Sequence, residues 1–258
     1  MPFFNRSRAR VALGVVPPML LLVWWQLQSA GSGAQALAFV PLPQVGSEFA
    51  DLIASGLLLS DSLDTLARAV TGFLMGALAG VAAGMAMGVS PLFERFFGPL
   101  YHAVRQVPLL GWLPLIGLWL GNGEGAKLLI VGLAAFYPTV LNTYEGVINV
   151  EASHRELGRL YSFGPLQRFR FILLPGALPL ILTGLSQAIT FAWIATIGTE
   201  ILLGAGGGLG ATMSHAQAQQ RMDTILVAIL VTGILGFSIN YLFALLRRHL
   251  LRWQVANV

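Results

Sequence analysis

The chain has 258 residues, 56% hydrophobic and 10% charged, with a mean hydropathy of +0.74 and a formal net charge of +4. A soluble domain carries about a quarter charged residues, so this chain lacks the charge to coat a water-facing surface. Disorder, a coiled coil and an ordinary soluble enzyme are excluded. The absence of cysteine excludes a disulfide framework, a thiolate zinc site and an Fe–S cluster.

A bilayer supplies the missing solvent. About 20 apolar residues cross its hydrocarbon core, so the length accommodates about six helical spans and no large soluble domain. In chain order the apolar windows are Val11–Gln28, Leu66–Val89, Leu100–Leu120, Ala126–Ile148, Leu178–Leu203 and Thr224–Leu246. The reading is an all-α polytopic protein, one transmembrane domain over 1–258 with an internal loop at 149–175.

The first span follows Arg6, Arg8 and Arg10, and Ala34-Gln35-Ala36 imitates a signal-peptidase site. The apolar stretch is long for a signal peptide, the site lies late, and Trp24 and Trp25 suit an interface belt, so it reads as a retained helix. The segment from Ser29 to Thr65 carries Pro41, Pro43, Asp51, Asp61 and Asp64, suited to a short surface-lying helix and turns.

In the second span Gly72, Gly76, Gly80, Gly84 and Gly88 recur every four residues. That spacing drifts slowly around a helix and forms a stripe along which another backbone can come close. In the third span Pro108 and Pro114 interrupt Val107–Pro114, each removing a helical hydrogen bond. Freed carbonyls in a membrane must face protein or a wet cavity, so this is a candidate path-lining element. Ionisable residues in or beside spans are few: Arg105, Lys127, Glu145 and Glu200. Each suits either an interfacial ion pair or a translocation path.

Arginine and lysine placement sets the orientation. With the N-terminus inside, the inner segments hold Arg6, Arg8, Arg10, Arg95, Arg155, Arg159, Arg168, Arg170, Arg247, Arg248 and Arg252. The outer ones hold only Arg68, Lys127 and Arg221. Both termini are therefore expected in the cytoplasm.

Enzyme signatures fail. There is no Gly-x-x-x-x-Gly-Lys-Ser/Thr to cradle ATP phosphates. His154-Arg155-Glu156 has the form of a zinc-deaminase motif without the cysteines to complete it. Gly206-x-Gly208-x-x-Ala211 matches a loose dinucleotide pattern but follows a membrane span instead of a strand. The four histidines have no ligand-like spacing, and no Gly-x-Ser-x-Gly elbow is present. No metal or cofactor is expected. The rival classes also fare poorly: a self-sufficient carrier predicts inverted repeats and midplane charges, and an intramembrane hydrolase needs a nucleophile–base pair.

The inner loop reads Glu156-Leu157-Gly158-Arg159-Leu160-Tyr161-Ser162-Phe163-Gly164-Pro165 and runs to Ile172-Leu173-Leu174-Pro175. It is charged and amphipathic, a helix–turn–helix suited to docking on a soluble partner. This segment resembles the EAA loop of ABC importer permeases, Glu-Ala-Ala-x-x-x-Gly followed by nine residues and Ile-x-Leu-Pro. A register from Glu151 fits the start but brings the Leu-Pro too early; a register from Glu156 places Ile172, Leu174 and Pro175. Leu157 and Gly158 then stand for the two alanines and Ser162 for the glycine, and Gly164 is expected to supply the turn.

Further stretches resemble the sulfonate/taurine/nitrate-type branch of those permeases: Arg68-x-x-x-Gly72-Phe73, Arg105-x-Val107-Pro108, Pro114-Leu115 with Trp119-x-Gly121, and Ala126-Lys127. They continue through Pro138, Asn142-Thr143, Leu174–Pro179, Trp193, Glu200 and Leu251-Arg252-Trp253. Ser186 stands where relatives often carry an arginine.

The resemblance implies a type I importer permease fold working as a dimer, most simply a homodimer. Two cytoplasmic ATPase subunits would dock through Glu156, Leu157, Gly158, Arg159, Ser162, Phe163 and Gly164 and bind the ATP. An external binding protein would deliver the solute. Gly158 is expected at the closest approach to the ATPase, with Arg155 and Arg159 at the rim. Arg105, Pro108, Pro114, Ser186 and Glu200 are the expected path residues. The solute is expected to be a small anion such as a sulfonate, taurine or nitrate; a heterocyclic precursor is the alternative.

Overall fold

The structure, a computed structural model, describes residues 3–29, 39–204 and 206–252; for 3–15 and for His154, Arg155, Leu157 and Arg159 it describes the backbone alone. Ala34-Gln35-Ala36 and Trp253 lie outside the described residues. The helices are α1 Phe3–Gln28, α2 Leu42–Ala54, α3 Leu57–Val89, α4 Pro91–Val104, α5 Leu113–Leu120 and α6 Glu124–Ile148. They continue with α7 Ala152–Leu160, α8 Pro165–Arg168, α9 Leu174–Leu203, α10 Leu209–Ala218 and α11 Met222–Leu250. A 3₁₀ turn, Leu109–Trp112, precedes α5, and a π-turn, Phe169–Leu173, precedes α9. The described residues contain no β-strand.

Four helical stretches are long and apolar enough to cross a membrane: Leu57–Val89, Glu124–Ile148, Pro165–Leu203 and Met222–Leu250. Pro91–Val104 and Leu109–Leu120 form a fifth if taken together, although they bend by 88°. That count covers described residues and does not take in all of α1, where the first expected span lies.

The third expected span, Leu100–Leu120, is thus two helices and a turn. Val107 precedes a proline, which disfavours helical geometry at that residue, and Pro108 caps the 3₁₀ turn with φ −54 and ψ 127. Pro114 sits in the first turn of α5. It removes no intrahelical bond there, because the first N–H groups of a helix have no partner in it. Of the two prolines expected to break hydrogen bonds, only Pro108 interrupts the path of the chain.

The chain packs as two compact units, Met1–Leu59 with Thr212–Val231, and Ser60–Ala211 with Thr232–Val258. In the first, α2 buries Val45, Glu48 and Leu52. The buried Glu48 carboxylate accepts from the Arg221 guanidinium and from Thr224 Oγ1 at 2.8 Å. Trp25 Nε1 donates to the Val40 carbonyl at 2.9 Å.

In the second unit the glycine stripe of α3 lies on α6. Gly72 faces Val131, Gly76 faces Ala135 and the Gly132 carbonyl, Gly80 faces Thr139, Gly84 faces Thr143, and Gly88 faces Val147. Both helices advance four residues per step in the same direction, so they run parallel. A Cβ on Gly80 would lie 2.7 Å from Thr139 Cβ, and one on Gly84 2.6 Å from the Val140 carbonyl. Every position of the stripe is therefore filled by the partner helix. Parallel neighbours require the intervening chain to return to its starting end, which is what α4, the 3₁₀ turn and α5 do.

Helix α9 packs antiparallel to α6: Gly184 meets Asn142, and Gly146 meets Ala177 and Leu180. Small residues on both helices, Val131, Ala134 and Ala135 against Ala188, Ala192 and Ala195, form the apolar core between them. Helix α11 lies antiparallel to α9, with Trp193 against Gly236, Thr190 Oγ1 donating to Asn240 Oδ1 at 2.8 Å, and Arg247 Nη2 donating to Thr183 Oγ1 at 3.1 Å. Close small-residue packing and interhelical hydrogen bonds hold such helices where lipid gives no hydrophobic drive.

Candidate functional site

A cavity of about 560 Å³ opens where the end of α4 and the 3₁₀ turn meet α6 and α9. The break at Pro108 builds one wall, carrying Arg105, Gln106, Leu109 and Leu110 to its edge. Helix α6 contributes Tyr137 and Leu141, and α9 contributes Gln187, Phe191 and Ile194, spaced along one helical face. Arg105 is the one charged residue among the described lining residues.

Arg105 is half-buried at the C-cap of α4. Its guanidinium carbon lies 5.7 Å from the centre of the Tyr101 ring, a cation–π arrangement. Tyr101 is itself buried and fixed by donating its hydroxyl to the Tyr137 carbonyl at 2.7 Å. The Arg105 Nε is buried without a hydrogen-bond partner.

The lining residue Gln187 is held by buried Asn142, whose Nδ2 donates both to the Pro138 carbonyl at 2.8 Å and to Gln187 Oε1 at 3.0 Å. A carbonyl can only accept, so the Asn142 atom is its NH₂ group, and the Gln187 atom facing it must be oxygen. The Gln187 Nε2 group is then the donor left for a solute.

Of the expected path residues, Arg105 lines the cavity and Pro108 starts the turn that shapes it. Pro114 lines a second space of about 570 Å³ between the 3₁₀ turn, α5 and the end of α9. Ser186 is half-buried, its carbonyl accepting from Thr190 Oγ1 at 3.2 Å; it does not line the cavity, and its neighbour Gln187 does. Sequence reasoning missed Gln187 and Tyr137, and it noted Asn142, which holds Gln187, only as part of the family-like pattern. The available signal was their position near the apolar centre of two spans.

Glu200 is elsewhere, fully buried at the other end of α9. It accepts from the Arg68 guanidinium, from Thr65 Oγ1 at 3.1 Å and from the Gly210 N–H at 2.8 Å. Arg68 also donates twice to Glu124, at 2.8 Å and 2.7 Å, and Lys127 lies 3.7 Å from the same carboxylate. The Gly208 and Leu209 N–H groups donate to Asp61 at 3.2 Å and to Thr65 at 2.9 Å. This network pins the glycine-rich link after α9 to the starts of α3 and α6. Gly206 and Gly208 have φ +82 and +124, and a Cβ on Gly208 would strike the Glu200 carboxylate. The dinucleotide-like pattern is thus a tight packing link.

At the opposite end of α9, α7, α8 and the π-turn form a hairpin. Gly158 is buried against Ile172 Cδ1, with Arg168 Cγ 3.7 Å from where a Cβ would stand. Its missing side chain is used inside the hairpin, where the sequence suggested a point of approach to a partner. The turn is closed by the Phe163 N–H on the Gly158 carbonyl at 3.0 Å and by Arg168 Nε on the Phe163 carbonyl at 2.8 Å.

Ser162 itself takes the left-handed conformation, φ +54. Gly164, expected to supply the turn, has φ −66 and caps α8, its N–H donating to Gln167 Oε1 at 2.9 Å. Leu160, Tyr161, Leu166 and Phe171 are all exposed, and so is Glu156. The side chains of Leu157, Arg155 and Arg159 lie outside the description.

Pro175 explains the π-turn. Its ring would strike the carbonyl four residues back and it has no N–H. The backbone widens there, with the Leu174 N–H reaching the Phe169 carbonyl.

Residues 72–254 match the family described as "Binding-protein-dependent transport system inner membrane component". The chain is 31% identical over 251 residues to the putative aliphatic sulfonates transport permease protein of Bacillus subtilis (strain 168), covering 97% of this chain and 90% of that one. It is 31% identical over 232 residues to the nitrate import permease protein of Leptolyngbya laminosa, covering 86% and 81%. Among solved structures, an inward-facing MetNI methionine ABC transporter shares the fold at TM-score 0.63 and 19% identity, over 75% of this chain and 95% of that one.

Proposed function

The chain belongs to the family of binding-protein-dependent transport system inner membrane components, and on that premise we propose how this permease subunit of an ABC importer works. Two copies pair to enclose the path, and both termini lie in the cytoplasm, where the arginine-rich segments are. The α7–α8 hairpin docks one ATPase subunit per copy through Leu160, Tyr161, Leu166 and Phe171, which would otherwise stay exposed. ATP is bound by those partner subunits. An external binding protein delivers the solute.

Coupling runs through the backbone. The hairpin passes through the π-turn directly into α9, and α9 carries Gln187 and Phe191 of the cavity wall. Closure of the ATPase pair draws the hairpins together and tilts α9, which alters access to the cavity. The π-turn concentrates the bend where backbone hydrogen bonding is already loosened.

The solute is a small anion held in the cavity. The observation that carries this reading is Arg105, the one charge among the described lining residues, with its Nε unpartnered. The test is ATP-driven uptake by proteoliposomes holding the full transporter and its binding protein. Arg105→Ala should assemble normally with the ATPase and lose about ten-fold or more of uptake, the worth of a charge-assisted hydrogen bond. Unimpaired uptake would refute the assignment.

A further inference from the structure

We propose that α2 is a membrane-interface helix. It lies flat in the leaflet where α1 ends, with Leu42, Phe49 and Ile53 sunk among phospholipid acyl chains. The partner of that face is the bilayer and not a second protein.

The sequence pattern gives α2 three faces, since successive residues turn about 100° around a helix. Val45, Glu48 and Leu52 share one face, and these are the residues the fold buries. Leu42, Gly46, Phe49, Ala50 and Ile53 share a second, and all five are exposed. Phe49 is 42% exposed and Ile53 54%. Gln44, Ser47 and Asp51 share the third, which is also exposed and lies opposite the second.

One flank of α2 is thus satisfied by protein, and the two remaining faces ask for opposite solvents. An apolar side and a polar side back to back are the pattern of a helix lying in the plane of a membrane surface. The helix is 13 residues long, about 20 Å, and cannot cross about 30 Å of hydrocarbon.

The depth of α2 is set by what holds it. Trp25 Nε1 donates to the Val40 carbonyl at 2.9 Å, and the Leu42 N–H donates to Gln26 Oε1 at 3.1 Å. The Trp24 and Trp25 rings meet Phe39 edge-on, with centroids 5.5 and 4.8 Å apart. Tryptophans concentrate at headgroup level, so the helix starts there. Leu20, Trp24 and Leu27 give the end of α1 an exposed apolar surface, and the stripe of α2 begins at Leu42, hydrogen-bonded to that end.

The buried flank is pinned at the same level. Glu48 is held by Arg221 and Thr224, and Gln44 Nε2 donates to Asp223 Oδ2 at 3.4 Å. These partners lie at the start of α11, a stretch long and apolar enough to cross a membrane. The end of a span is itself at the membrane surface, so both attachments keep α2 in the interface. Charge is sorted accordingly: the stripe carries none, and Asp51 lies on the opposite face.

The test exploits the absence of cysteine. Leu42→Cys, Phe49→Cys and Ile53→Cys place single spin labels on the stripe, and Ser47→Cys and Asp51→Cys place them opposite. Ile234→Cys, at an exposed position within α11, is the lipid reference. The full chain is assembled with its ATPase in nanodiscs of phosphatidylethanolamine and phosphatidylglycerol. Collision of each label with oxygen, which concentrates in the bilayer, is compared with collision with nickel-EDDA, which stays in water.

Labels at 42, 49 and 53 should meet oxygen several-fold more than nickel-EDDA, as at 234, and labels at 47 and 51 should show the reverse. Adding the external binding protein should leave the stripe labels unchanged. In the unaltered chain, hydroxyl-radical footprinting should find Phe49 protected.

Stripe labels that meet nickel-EDDA more than oxygen, or strong oxidation of Phe49, would place that face in water and overturn the proposal. Labels shielded from both reagents would mean that protein covers the stripe, a second copy if shielding is constant and the binding protein if it appears only on its addition. Oxygen-rich labels at 47 and 51 would bury the whole helix in lipid and refute the interfacial orientation.

Discussion

Gly158 of α7 lies against Cδ1 of Ile172, the residue that opens the Ile-x-Leu-Pro stretch. The two ends of the loop pattern therefore form one packed unit. A small residue is needed in α7 because Ile172, from the π-turn on the returning arm of the hairpin, occupies the space, independently of what the partner ATPase presents.

This contact makes a rescue prediction. Gly158→Leu should prise the hairpin open and reduce ATPase co-purification, as overpacking a filled site typically costs about 1–3 kcal/mol. Adding Ile172→Ala should make room and restore most of the co-purification. If the double variant stays as defective as Gly158→Leu alone, the glycine faces the ATPase instead.

Ser162 makes the second prediction. A left-handed backbone strains a residue with a Cβ by about 1–3 kcal/mol, and glycine relieves it. Ser162→Gly should therefore slow amide exchange across residues 158–168 several-fold while leaving ATPase assembly intact. Faster exchange would mean that the serine side chain stabilises the turn.

Much of this architecture was legible in the sequence, for identifiable reasons. Composition reveals spans because a bilayer tolerates few charges. The glycine stripe announced a close helix contact, yet not its partner. The complementary ridge of Val131, Ala135, Thr139, Thr143 and Val147 has the same four-residue spacing, but without a run of glycines it looks like any apolar helix face. Arg105 was identified because a charge in a span is rare. Gln187 escaped because a neutral amide is not conspicuous, and its pairing with Asn142 joins residues 45 positions apart. Glu200 was expected on the path because a buried carboxylate suggests transport. Its partner Arg68 lies 132 positions away, and only folding shows that the pair closes on itself. Ser162, read as standing for the glycine of the loop pattern, takes the left-handed conformation that favours glycine, which residue identity alone pointed away from.

The stripe yields a prediction that needs only alanine. At Gly76 a Cβ would meet the Gly132 carbonyl, a backbone atom that cannot swing aside. Gly76→Ala should separate α3 from α6 and lower the melting temperature of the detergent-solubilised chain, by an overpacking cost of about 1–3 kcal/mol. Gly233→Ala is the control. Nothing lies within 4 Å of its added Cβ, so the change should be neutral or raise stability by about 0.5–1 kcal/mol through helix propensity. Equal melting of both variants would show that the stripe is not tightly packed.

The Arg68–Glu200 pair gives an asymmetric prediction. Both side chains are buried, with 5% and 0% exposure. Removing one partner of a buried pair typically costs about 3–5 kcal/mol, because the other is left without compensation. The two partners are not left in the same state. Without Glu200, Arg68 keeps two hydrogen bonds to Glu124, which is 57% exposed and wet. Without Arg68, Glu200 keeps a hydroxyl from Thr65 and one backbone N–H from Gly210, and its charge loses its direct ion-pair partner. Arg68→Met should therefore lower the melting temperature more than Glu200→Gln. The double variant should melt above Arg68→Met, since the neutral glutamine no longer needs a cation while it can still accept from Thr65 and Gly210. Strict additivity of the two losses, or an Arg68→Met chain as stable as the parent, would show that the two side chains do not depend on each other.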